Sequence, residues 1–87
     1  MKDLYFDYQI DTFDDFKETC SFYYAIKSYV EALGGHWHFI ECLYDPAYPA
    51  YQVTYISVDK RKITLTVLAR GGEYPPDISH TFSTTSS

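Results

Sequence analysis

The stretch from Phe13 to Leu33 constrains the fold more than any other part of this chain. Phe16, Cys20, Tyr23, Ile26 or Lys27, Val30 and Leu33 recur at helical spacing, and Phe13, Phe22, Ala25 and Tyr29 widen the apolar stripe. The stretch opens on Thr12-Phe13-Asp14-Asp15, a capping-box pattern in which the Thr hydroxyl satisfies an amide three residues on. Asp14, Asp15 and Glu18 suit the positive end of the helix dipole. Gly34-Gly35 closes it, because glycine takes the left-handed conformation at a helix end without steric cost. One helix is predicted over 13–33.

Period-two patterns flank that helix. Leu4, Phe6, Tyr8 and Ile10 alternate with Asp3, Tyr5, Asp7, Gln9 and Asp11, which predicts a strand with one buried side. Three more strands are expected from His36 to Leu43, Tyr51 to Val58 and Ile63 to Ala69. Pro46 and Pro49 bar a continued ladder between the first two, and Asp59-Lys60-Arg61-Lys62 reads as a four-residue hairpin loop between the second two. Beyond Ala69, Gly71-Gly72, Pro75-Pro76 and the Ser/Thr-rich end read as a flexible tail in which Ile78 and Phe82 are the residues able to dock. The expected architecture is β-α-β-β-β, an α+β domain over 1–70 with a Pro/Ser/Thr-rich tail over 71–87. One helix packs on one face of a four-stranded, mostly antiparallel sheet.

Folding the hairpin about a four-residue loop sets Val58 opposite Ile63, Ile56 opposite Leu65 and Thr54 opposite Val67, toward the helix. Tyr51, Val53 and Tyr55 then face outward with Tyr5 and Asp7 of the first strand. In the middle strand Glu41 shares a parity with Trp37 and Phe39, and burying an unpaired carboxylate costs more than exposing two aromatics. Ile40 and Cys42 are therefore expected inward, Trp37, Phe39 and Glu41 outward. An uncovered aromatic sheet face is the consequence, and such patches mark binding surfaces.

Composition narrows the function classes. Ten tyrosines, six phenylalanines and one tryptophan in 87 residues supply large, rigid contact area with polar tips. Forty-six percent apolar residues suffice for a core, and no apolar run approaches the roughly 20 residues that span a bilayer. The acidic start differs from the apolar run of a signal peptide, so a cytoplasmic location is expected. The net charge is -5, and Asp3, Asp7, Asp11, Asp14, Asp15 and Glu18 fall in the first 18 residues. Such a patch attracts basic surfaces, including the nucleic-acid channel of another protein.

Chemistry is sparse. His36-Trp37-His38, with Cys42 on the same strand and His80 from the tail, is a weak match to zinc spacing, and no metal or cofactor is expected. Cys20 sits on the helix's apolar stripe without an evident base, which argues against a nucleophile. Asp11, Asp14 and Asp15 are explained by the helix start. The expected function is a non-enzymatic protein-binding domain, of the type found among phage or mobile-element antagonists such as anti-CRISPR and anti-restriction proteins, or among toxin antidotes. It would occlude a nucleic-acid-handling protein, with Tyr5, Asp7, Trp37, Phe39, Tyr51 and Tyr55 as contact surface and Asp11, Asp14 and Asp15 as steering charges. The alternatives are a single-stranded nucleic-acid module that stacks bases on those aromatics and holds phosphates with Lys60, Arg61, Lys62 and Arg70, and a homodimeric accessory subunit.

Overall fold

The computed structural model describes residues 6–47, 49–69 and 74–84. Tyr5, Arg70 and the tail segments 71–73 and 85–87 lie outside the described residues. The fold is α+β, with two helices and one antiparallel sheet of five strands among the described residues. In chain order these are β1 (Tyr8–Ile10), α1 (Phe13–Thr19), α2 (Tyr23–Leu33), β2 (Trp37–Asp45), β3 (Ala50–Ser57), β4 (Arg61–Leu68) and β5 (Asp77–Thr84). The sheet is a simple meander, β1-β2-β3-β4-β5.

The expected single helix is two. Thr12 caps α1 as its sequence predicts, its Oγ1 accepting the Asp15 amide at 3.2 Å. Thr12→Ala is expected to cost about 1 kcal/mol, as loss of such a cap does, read from the shift in urea midpoint. The helix then stops at Cys20, which is extended, and α2 restarts after Phe22. A continuous helix turns about 100° per residue and would set Phe22 about 200° from Cys20, on the opposite side. The break buries Phe16, Cys20, Phe22 and Ile26 together. Thr19, Cys20 and Ser21 hold a helix weakly, so it breaks there. Gly34 ends α2 at φ 77°.

The β3–β4 loop corrects the face assignment. It has three residues, Val58, Asp59 and Lys60, and Tyr55 pairs with Ile63, Val53 with Leu65 and Tyr51 with Val67. Lys60 takes φ 66°, the left-handed residue that typically ends such a loop, and its amide donates to the Ser57 carbonyl at 3.0 Å. The Ser57 hydroxyl accepts the Arg61 amide at 3.1 Å and bonds the Asp59 carboxylate. Relative to the expected pairing the register moves by three residues, an odd shift, so every β3 side chain changes face. Tyr51 and Tyr55 are 5% and 6% exposed in the core, and Val58 is at the exposed loop tip.

A bulge settles β2. Phe39 pairs with Tyr55, and the next pair is Glu41 with Thr54, which leaves Ile40 as the extra residue. Trp37 and Phe39 therefore share the helix-covered side with Cys42 and Tyr44, while Glu41 points to the open face. The expectation that Trp37 and Phe39 point away from the helices fails because the strand changes parity midway. Tail residues 77–84 form β5, bonded to β4 from Arg61↔Thr84 to Leu68↔Asp77.

Phe16, Phe22, Phe39, Tyr44, Tyr51 and Tyr55 thus pack between helices and sheet, while Tyr8, Phe13, Tyr24, Tyr74 and Phe82 stay exposed. Phe16 stacks on Phe39 with centroids 4.9 Å apart, Phe39 meets Tyr55 at 6.1 Å, and Tyr44 stacks on Tyr51 at 5.7 Å. The open face carries Thr54, Thr64 and Thr81 in one cross-strand row and Gln52, Thr66 and Ser79 in the next. Leu43, Ile56 and Leu68 share that face with Glu41 and Lys62, so among the described residues it is a mixed hydroxyl and aliphatic surface without a Phe, Tyr or Trp ring.

Candidate functional site

An aromatic cleft opens where α1, α2 and the start of β2 meet. Phe13, Trp37, His38 and Phe39 line one part; Phe13, Trp37 and Tyr55 line the adjoining part with Tyr23, Lys27, Val30 and Glu31 of α2. Phe13, the first residue of α1, is 44% exposed and stands 5.9 Å from the Tyr23 ring and 6.1 Å from the Phe39 ring. Trp37 is fixed at the other end, its Nε1 donating to the Gly34 carbonyl at 2.8 Å. β1 ends at Ile10 opposite Cys42, so, among the described residues, 37–41 of β2 have no strand neighbour on that side.

Charges border the cleft. Lys17 lies 5.5 Å above the Phe13 ring and the Arg61 guanidinium 5.8 Å from the Trp37 ring. Asp14 and Asp15 are exposed on the first turn of α1 beside Phe13, and exposed Asp11 accepts from Gln9 Nε2 at 2.7 Å. Asp7 is exposed before β1. At the β3–β4 loop Arg61 pairs with Asp59 at 3.2 Å, and the Ser57 hydroxyl, ahead of Arg61, holds the Asp59 carboxyl below its ordinary range.

Of the contact residues expected from sequence, the structure brings Trp37 and Phe39 together in one cleft, while Asp14 and Asp15 follow Phe13 on the exposed first turn of α1 and Asp11 precedes that helix. Tyr55, though only 6% exposed, lies at the floor of the same cleft with its ring 6.1 Å from Phe39, whereas Tyr51 is core and does not line it. The face expected to bind, and with it the platform for base stacking, is absent from the described sheet surface. Sequence reasoning gives Phe13 only as a widening of the helix stripe. Its place at the first helical position was the available signal, since a side chain there overhangs the end of the packed layer.

The bulge also sends His38 and Cys42 to opposite faces, and among the described residues no three His, Cys, Asp or Glu side chains are grouped to hold a metal. Cys20 and Cys42 are buried and unpaired by disulfide. Burial pushes the Cys20 thiol up to about 11 and Cys42 up to about 12, the latter also through the neighbouring Cys20 and Glu41. Neither forms a ready thiolate nucleophile. Above the ordinary value of 9.0 the unfolded chain releases protons that the folded chain retains, so stability falls as pH rises from about 9 toward 11. Burial raises Tyr51 and Tyr55 in the same sense. Melting temperatures at pH 8, 9 and 10 should decline stepwise, with a shallower slope in the Cys20→Ala/Cys42→Ala protein.

No helix among the described residues is long and apolar enough to cross a membrane. No family model, curated protein or solved structure matches this chain.

Proposed function

We propose that the protein is a small, non-enzymatic protein-binding domain that docks through the aromatic cleft and inhibits a nucleic-acid-handling protein in the cytoplasm. The observation that carries this reading is the exposed Phe13 ring set over Phe39 and Tyr23, an aromatic concavity on a domain whose described open sheet face carries hydroxyls, Gln52 and the aliphatic Leu43, Ile56 and Leu68 but no Phe, Tyr or Trp ring. Aromatic anchors in concave, partly desolvated sites carry most of the binding energy in protein interfaces. Phe13, Trp37 and Phe39 supply the anchors. Asp7, Asp11, Asp14 and Asp15 steer a basic partner toward them, and the -5 net charge favours such a partner over a phosphate backbone. An antagonist or antidote role suits a surface of this kind.

The test is affinity capture from a bacterial lysate followed by reconstitution. The expected result is a basic nucleic-acid-handling protein that, once purified, loses its own nucleic-acid binding when this domain is added in equimolar amount. Filter binding of the domain itself to single-stranded DNA or RNA at low salt would contradict the proposal.

A further inference from the structure

The two edges of the sheet are built differently. β1 is three residues long, and the strand behind it carries a bulge, both devices that blunt an edge. β5 has eight residues, no proline, no lysine and an unbroken register with β4. A terminal strand of that length without a blocking residue is a template for another strand.

The sequence of β5 specifies which strand. Ile78-Ser79-His80-Thr81-Phe82 reads the same by chemical class in both directions: apolar, hydroxyl, His, hydroxyl, apolar. Ile78, His80 and Phe82 pair with Val67, Leu65 and Ile63 and so share the helix-covered side, whereas Ser79 and Thr81 pair with Thr66 and Thr64 on the open side. In an antiparallel pair of two copies centred on His80, Ile78 of each copy meets Phe82 of the other. Ser79 meets Thr81, so apolar groups oppose apolar groups and hydroxyls oppose hydroxyls. Asp77 meets Ser83, with no carboxylate opposite a carboxylate. Phe82, 55% exposed in the single chain, gains an apolar neighbour.

We infer that two copies of this chain associate through β5 about a two-fold axis at His80, forming a continuous ten-stranded sheet. The occupant is a second copy because the strand complements itself. This interface lies at the sheet edge opposite β1 and does not rest on the cleft reading.

Light scattering coupled to size exclusion, run from low to high micromolar protein, tests it. The expected mass is twice the 10.1 kDa of one chain. The Ser79→Lys/Thr81→Lys protein should elute at the single-chain mass with an unchanged far-UV spectrum, since both positions are exposed. Deuterium exchange of the amides of 78–82 provides a readout that survives if the variant misfolds, and it should slow as wild-type concentration rises. A wild-type protein monomeric throughout, a dimer untouched by the two lysines in a folded variant, or β5 exchange independent of concentration would each overturn the inference.

Discussion

Phe16→Ala is expected to destabilise the domain by about 3–5 kcal/mol, the range for removing a fully buried aromatic ring. Phe16 has no exposed surface, and its ring is the hub of the helix–sheet contact, 4.9 Å from Phe39, 5.6 Å from Tyr23 and 6.4 Å from Phe13. Those neighbours come from three elements, so the hole left behind cannot be filled by moving one of them alone. Against a total stability of roughly 5–15 kcal/mol for a domain of this kind, the loss brings the protein near its unfolding threshold. Urea denaturation checks it. A loss under about 1 kcal/mol would mean that α1 is not packed on β2.

Tyr55→Ala is expected to cost about 3–5 kcal/mol, and Ile56→Ala at least about 1 kcal/mol less, because Tyr55 is core and Ile56 is half-buried on the open face. The pair reads the hairpin register directly. With a four-residue loop the order reverses, since Ile56 would then sit under the helices and Tyr55 in solvent. Measuring both variants in one denaturation series therefore distinguishes the two pairings without a structure determination.

The sequence shows most clearly what depends on local chemistry. Thr12 and the acids behind it mark the start of α1, Gly34 marks the end of α2, and Ile63, Leu65 and Val67 declare the buried side of β4. Position 58 shows what local pattern leaves open. Val58 extends the apolar set of Ile56, yet Ser57 closes the loop before it through a side-chain bond to the Arg61 amide, and one residue of loop length decides a whole strand. The Glu41 conflict in β2 has the same character. Its two candidate parities are each correct over half the strand, and the switch at Ile40 arises from pairing with β3. β5 escapes a reading by composition because Ser and Thr suit both a tail and the polar side of an edge strand. At the site, the aromatic identity of Trp37 and Phe39 and the acids of α1 are legible, whereas the cleft they share depends on the bulge and on Phe13 overhanging α1.

The proposed docking in the cleft, rather than on the open sheet face, is checked by quantitative capture with three baits. Wild-type protein, the cleft variant Phe13→Ala and the open-face variant Thr54→Lys/Thr64→Lys would be compared for recovery of the same partner by mass spectrometry. All three are to be confirmed folded by circular dichroism. Loss of an aromatic hot spot costs at least about 2 kcal/mol, so recovery at sub-saturating bait should fall by more than tenfold with Phe13→Ala and persist with the open-face variant. Recovery that survives Phe13→Ala and vanishes with Thr54→Lys/Thr64→Lys would place docking on the open face instead.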